Sequence, residues 1–242
     1  MSPYRIDVLS LVPNAFESLN KLGVIGRALT SKIAEIHIHN PRDFTEDTYK
    51  KVDDQPYGGG SGMVLKPEPI FKTFDQIPSL ECRKVVMMTP QGKALKQKDL
   101  QRWSSENDQL VIICGHYEGF DERIRTLADE EISIGDYILS GGEIPALTVI
   151  NGVVRLLPGT VGDSESLKNE SHNDLLLEYP HYTRPFSFRG MEVPKVLRSG
   201  DHEAIFKWRE KQRLIRTKTR RPDLYQDWFN KVSTNETSHK QK

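Results

Sequence analysis

Two cysteines in 242 residues, Cys82 and Cys114, are too few for a framework of disulfide bridges. That excludes the small extracellular folds stapled by cystines. Cys114 closes an apolar run, where a buried, reduced thiol is expected. The chain has no apolar stretch near the roughly twenty residues that cross a bilayer, and Met1-Ser2-Pro3-Tyr4-Arg5 lacks the basic-then-apolar layout of a secretory leader. A cytoplasmic protein without membrane contact is expected. Net charge is missing as well: 34 Lys and Arg balance 34 Asp and Glu. The molecule as a whole therefore has no pull on a polyanion, and any nucleic-acid contact must come from local asymmetry. There is no G-x-G-x-x-G after the first strand and no G-x-x-x-x-G-K-[ST] anywhere, which excludes an ordinary Rossmann or P-loop protein. His37, His39, His116, His172, His181 and His202 lack metal-ligand spacing, so no metal site built on histidine is expected.

What is there is an alternation of short apolar runs with helical patterns. Ile6 to Val12 reads as a largely buried strand, and Pro13-Asn14 opens a helix in which Asn14 and Glu17 have capping-box spacing. Lys84 to Met88 and Leu110 to Cys114 are further strands, the first ending at Thr89-Pro90-Gln91-Gly92. Ile132-Ser133-Ile134 is another, followed by a helix from Ile144-Pro145 with Leu147, Ile150 and Val154 on its apolar side. An α/β fold with a parallel sheet follows.

Pro158-Gly159 stops that helix, and the aperiodic polar stretch Gly162 to Asp174 reads as a flexible connection. The expected division is a first domain over 1–160, a linker over 161–174 and a small helical domain over 175–242. In the last, Gly200-Asp201 precedes a helix with Ile205, Trp208 and Ile215 on one side, and Pro222 ends it. Leu224, Trp228 and Val232 continue as a second short helix, frayed from Ser233. Lys207, Arg209, Lys211, Arg213, Arg216, Lys218, Arg220 and Arg221 crowd one segment in which Glu210 is the only acid. Such a run reads equally as a solvated helix face or as a nucleic-acid contact.

Chemistry is expected at loops beyond the carboxyl ends of parallel strands. Three glycine-bearing stretches lie there: Thr89 to Gly92, Gly115 to Gly119 and Ile134 to Glu143. Each alone reads as a turn; three within about fifty residues favour one shared site held mainly by main-chain groups. Pro56 to Met63 is a glycine cluster able to wrap a base or a phosphate, or simply an exposed loop.

Four stretches are specific beyond composition: Val52 to Met63, Cys114 to Arg123, Ser133 to Pro145, and His181-Tyr182-Thr183-Arg184-Pro185. They occur in the order found in the bacterial tRNA (guanine-N1)-methyltransferases, which the chain resembles from about Ile6 to about Pro222. The resemblance implies a homodimer of the SPOUT class, whose parallel sheet ends in a deep trefoil knot followed by a small helical domain. It implies S-adenosylmethionine as methyl donor, held by Pro90, Gly115, Tyr117, Glu118, Ile134, Gly135, Asp136, Tyr137, Ile138, Leu139, Gly141, Gly142 and Pro145. It implies tRNA as substrate, contacted by Tyr57, Gly58, Gly59, Gly60, His181, Arg184 and the basic segment of a partner subunit. Magnesium enters with the family too, with Glu118 as the residue to meet it, although no spacing in the chain marks a site.

The implied reaction needs a base, because N1 of guanine carries a proton at neutral pH. It also needs a donor or cation for the charge growing on O6. Alignment with the family puts Glu170 at the base and Arg155 at the assisting arginine. The family pattern at the base is Asp-Ser followed by an aromatic, whereas this chain reads Glu170-Ser171-His172. Asp163 and Asp174 compete with Glu170, and Arg155 also reads as a cation facing a helix C-terminus. The departure keeps two other expectations in play: a knotted methyltransferase with another RNA target, and an RNA-binding homologue without catalysis.

Overall fold

The computed structural model describes residues 2–162 and 170–239. The chain divides into two compact units, residues 1–162 and 163–242.

The first unit is built on a five-stranded, all-parallel sheet in the order β2-β1-β6-β5-β7. Its strands are β1 (Tyr4–Leu9), β2 (Ala34–His39), β5 (Arg83–Ala94), β6 (Gln109–Cys114) and β7 (Glu130–Ser133). A two-stranded ribbon of β3 (Asp53–Asp54) and β4 (Val64–Leu65) flanks them. Side chains alternate across a strand, so a strand covered on both faces must be apolar at nearly every position. Successive residues of β6 accordingly divide between two cores. Leu110, Ile112 and Cys114 face a layer with Trp103, Val149, Ile150 and Val153, while Val111 and Ile113 face one with Leu65, Ile70 and Ile124. Helices α1 (Gly23–Thr30), α3 (Gln97–Glu106) and α4 (Glu143–Val154) bury residues in the first layer, and α2 (Pro67–Asp75) in the second.

Three local expectations are corrected. Pro13–Lys21 forms a 3-10 helix whose cap is Val12 with no side-chain cap bond, so the Asn14 and Glu17 spacing is not used as a capping box. The strand from Lys84 does not end at Met88. It runs to Ala94, with Thr89 to Gly92 looped out between two pairings to the same residue, Met88 with Ile132 and Lys93 with Ile132. On α4, Leu147 is half-buried, and Ala146, Val149, Ile150, Val153 and Val154 carry the buried face.

Buried charge ties the strands together. Asp7 of β1 is fully buried and accepts from Arg5 through both oxygens at 2.8 Å, from Gln109 Nε2 at 2.8 Å, and pairs with His39 Nε2 at 2.8 Å. One carboxylate thus joins β2, β1 and β6. Burial would raise its pKa, but the bonds from His39, Arg5 and Gln109 outweigh that and hold it at about 2. At the other side of the sheet Glu130 of β7 meets Lys93 at 2.7 Å, Arg102 at 2.9 Å and the Trp103 indole at 3.3 Å. There too burial is overcome, and the pKa sits at about 2.

The second unit contains the hairpin β8 (Ser187–Phe188) and β9 (Met191–Glu192), then α5 (His202–Arg220) and α6 (Pro222–His239). Asp201 caps α5, its side chain accepting from the Ala204 amide at 3.0 Å. The buried residues of α5 are Arg213 and Thr217, whereas Ile215 is exposed, so the expected stripe through Ile215 is corrected. The second helix is longer than expected, running past Ser233 to His239. Among the described residues no helix is long and apolar enough to cross a membrane.

Both carboxylates have folded-state pKa values below their ordinary 3.8 and 4.5. Their stabilisation is therefore whole above about pH 4.5 and is lost as the pH falls toward 2. Asp7→Asn should cost about 3 kcal/mol, because it removes the buried carboxylate that accepts from Arg5 and Gln109 and pairs with His39. Urea unfolding at pH 7 measures the loss. The gap between variant and parent should narrow at pH 3.

Candidate functional site

Three glycine-bearing loops meet at one end of the sheet, one looped out within β5 and two that follow β6 and β7. The segment Thr89 to Gly92 follows Met88, Gly115 to Gly119 follows β6, and Ile134 to Gly142 follows β7 and leads into α4. Together they wall a cavity of about 440 Å³. The third loop is stitched to the second by the Gly142 amide, which donates to Gly115 O at 2.8 Å, and by an antiparallel bridge between His116 and Gly141.

Close approach dictates glycine at two of these positions. A Cβ on Gly92 would lie 2.3 Å from the Ile132 nitrogen, and one on Gly142 would lie 2.8 Å from both Cys114 Cα and the Gly115 nitrogen. Main chain cannot retreat as a side-chain tip can. Any larger residue forces the loops apart.

Of the residues expected to hold a cofactor, Pro90, Gly115, Tyr117, Glu118, Ile134, Gly135, Tyr137, Ile138, Leu139, Gly141, Gly142 and Pro145 all line this cavity. Asp136 does not. The Tyr137 ring folds back over Gly135 and its hydroxyl donates to Ile134 O at 3.2 Å, which leaves Asp136 exposed.

Several lining residues carried no sequence signal. Arg125 reaches the wall from the turn Glu122–Leu127, where Gln91 Oε1 at 2.8 Å, Glu122 at 2.9 Å and Glu131 hold its guanidinium. His116 lines the cavity with Nε2 3.6 Å from Glu143, a buried carboxylate that accepts from Ser10 Oγ at 2.7 Å. Ser10 follows the end of β1, so a fourth strand supports the same corner. Cys114 is buried beside it, and burial followed by the Glu143 charge raises its thiol pKa well above the ordinary value. It is no nucleophile at neutral pH.

Tyr57 is fully exposed, and Gly58, Gly59 and Gly60 all have positive φ. None of the four lines the cavity, but their loop ends at it: Met63 O accepts from the Glu118 amide at 3.0 Å. Arg155 caps the C-terminus of α4, its amide donating to Asn151 O. The cavity touches α4 only at its first turn, through Gly142 and Pro145. Twelve helical residues put Arg155 about 18 Å along the axis from that turn.

In the second unit, Glu170 opens a hydrogen-bonded turn, its carbonyl accepting from the Asn173 amide at 3.4 Å. Asp174 is bound to Arg213 at 2.5 Å, which occupies this rival for the role of base. The other rival, Asp163, lies outside the described residues. His181 pairs with Glu178 at 2.8 Å, and Arg184 is exposed before a cis peptide bond to Pro185. Along the basic segment Lys207, Arg209, Lys211, Lys218, Arg220 and Arg221 are exposed, Arg216 is half-buried and Arg213 is buried. Among the described residues no group of three or more His, Cys, Asp or Glu is disposed to hold a metal ion.

A parallel α/β sheet whose glycine-bearing loops wall a cavity at one end places the chain among the open-sheet α/β proteins that take a ligand at such loops. The family model described as tRNA (Guanine-1)-methyltransferase TrmD matches residues 4–227. The chain belongs to that family. It is 64% identical over 241 residues to the tRNA (guanine-N(1)-)-methyltransferase of Synechococcus sp. strain WH7803, covering 99% of this chain and 100% of that protein. To the protein of the same description from Synechococcus sp. strain CC9311 it is 65% identical over 228 residues, covering 94% and 95% of the two chains. A relative from Prochlorococcus marinus strain MIT 9312 is 59% identical over 229 residues, covering 95% and 93%.

Gly142→Ala should destabilise the first unit by about 1–3 kcal/mol, as an added methyl does where neighbours cannot yield. Thermal unfolding reads it. Gly23→Ala, whose Cβ meets nothing within 4 Å among the described residues, serves as the control.

Proposed function

We propose that this chain transfers a methyl group from S-adenosylmethionine to N1 of the guanosine immediately 3′ of the anticodon in tRNA. The observation that carries this reading is the glycine-walled cavity at the strand ends of a chain in the tRNA (guanine-1)-methyltransferase family. The residues present fit the cofactor. About 440 Å³ lies within the usual range for small-molecule sites, and the walls combine apolar Ile134, Ile138 and Leu139 with the exposed carboxylate of Glu118. A carboxylate suits a ligand that carries sulfonium and ammonium charges. When bound, S-adenosylmethionine supplies an electrophilic methyl group.

The chain's own residues do the rest. Glu170 takes the N1 proton of guanine, which frees the lone pair for the methyl group. Arg155 faces O6 and offsets the negative charge that grows there. Glu170 replaces an aspartate and adds one methylene, so its carboxylate reaches further from the main chain.

A homodimer belongs to the same proposal. Arg155 stands about 18 Å from the turn of α4 that touches its own cavity, beyond the reach of one side chain. A second copy brings an Arg155 to the first copy's cavity. The SPOUT-type trefoil knot is supported by the way Ile134 to Gly142 returns to pack Gly142 on Cys114 and Gly115. In this reading residues 1–160 carry the methyl donor, 161–174 the base, and 175–242 the tRNA. Tyr57 to Gly60, His181, Arg184 and the exposed cations of α5 meet the RNA, where phosphate contacts position it and the target base is splayed out. Magnesium is part of the same proposal: Glu118 alone would meet it, with water and substrate filling the rest of its shell, and a chelator should abolish turnover.

Labelled methyl transfer to an unmodified transcript with guanosine 3′ of the anticodon tests the reading. Transfer is expected there and not to a transcript with adenosine in its place. Glu170→Gln should slow single-turnover methylation about 10² to 10⁴-fold, the usual contribution of a general base. Cofactor binding without transfer would favour an RNA-binding protein without catalysis.

A further inference from the structure

Arg213 stands apart from the other cations of α5. It is 7% exposed, whereas Arg209 and Lys211 on the same helix lie open to solvent. A guanidinium so placed cannot meet a phosphate, and burying it is unfavourable unless partners repay the lost hydration. Its partners are Asp174 at 2.5 Å and Glu210 at 3.3 Å. Glu210 lies on α5 itself, so Asp174 is the group that ties α5 to another segment.

That segment is a closed turn beginning at Glu170. The His172 amide donates to Leu176 O at 3.2 Å, the Glu178 amide to Ser171 Oγ at 3.0 Å, and the Leu176 amide to Asp174 Oδ1 at 3.3 Å. His172 and Leu175 hold φ of 76° and 71°, a region that non-glycine residues keep only where surrounding contacts enforce it. Three contacts do so from α5 or beside it. Arg213 binds Asp174, Thr217 Oγ1 accepts from the Leu177 amide at 2.8 Å, and the Leu176 side chain is buried. Thr217 is itself fully buried and donates to Arg213 O at 2.8 Å, so both anchors belong to one turn of the helix.

We propose that Arg213, through Asp174 and with Thr217, is a positioning residue that locks the turn carrying Glu170 onto α5. The inference rests on Glu170 being the base. It assigns α5 two jobs on two faces. The exposed Lys207, Lys211 and Lys218, which share one face at helical spacing, take the tRNA backbone, and the buried Arg213 and Thr217 on another face fix the carboxylate relative to that helix. RNA held on the open face would then meet a base already in place. A misplaced reacting group loses up to about a hundredfold in rate, which sets the expected effect.

The test uses full-length protein with Arg213→Met, Arg213→Lys, Asp174→Asn, Glu170→Gln and the double variant Arg213→Met/Glu170→Gln, each checked for folding by thermal unfolding. Arg213→Met should slow single-turnover methylation about ten- to a hundredfold at unchanged tRNA affinity. It should add nothing to Glu170→Gln in the double variant, and hydrogen exchange at the Leu177 amide should quicken. Arg213→Lys should recover part of the rate and keeps the test available if the methionine variant fails to fold. Multiplicative losses in the double variant, or an Arg213→Met protein whose only defect is tRNA affinity, would overturn the inference while leaving Glu170 as base. An unchanged rate in Glu170→Gln would instead sink the base assignment. Exchange at Leu177 then still reports whether the clamp exists.

Discussion

Main chain pressed against main chain is the constraint on which the candidate site depends. At Gly92 the looped-out part of β5 returns within contact of the β7 backbone, and at Gly142 the entry to α4 touches the Cys114 to Gly115 peptide. Such contacts leave no room for a Cβ and none for adjustment, since protein interiors are packed as densely as crystals. The three loops cannot slide independently. A cavity walled this way is set by backbone geometry, and the few polar side chains around it are free to serve the ligand. The buried chain from Ser10 through Glu143 to His116 reinforces the same corner from β1.

Much of the sheet was legible in the sequence, because a parallel strand buried on both faces must be apolar along its length. Lys84 to Met88 and Leu110 to Cys114 follow that rule, whereas the first strand, expected over Ile6 to Val12, stops at Leu9 and carries the buried Asp7. The glycines marked the three loops, and the resemblance named the residues within them. What was not legible has physical reasons. The continuation of β5 to Ala94 depends on a second pairing with Ile132, a tertiary event that polar Gln91 and Lys93 do not announce. Pro13 fits a helix start, but the tight 3-10 geometry that follows leaves Asn14 out of the cap position. Arg213 sits in a run of cations with nothing to mark it, and only the fold reveals that this one faces inward. Glu143 likewise reads as an ordinary acid in the first turn of a helix until Ser10 and His116 are brought to it.

Glu170 and Asp174 show the limit of composition more sharply. A polar stretch without periodicity reads as flexible, yet its described part, from Glu170 onward, is closed by side-chain to backbone bonds from Ser171 and Asp174. Short polar side chains make turns as readily as they make loops. Periodicity has nothing to say about which.

Helix α4 spans the first unit from the cavity wall to Arg155, and it is packed on both strands and neighbouring helices through Ala146, Val149, Ile150 and Val153. A rod clamped along its length moves as one piece or not at all. A ligand in the cavity meets this rod only at Gly142 and Pro145, so the position of the far end, out to Arg155, is set by the core and not by what the cavity holds.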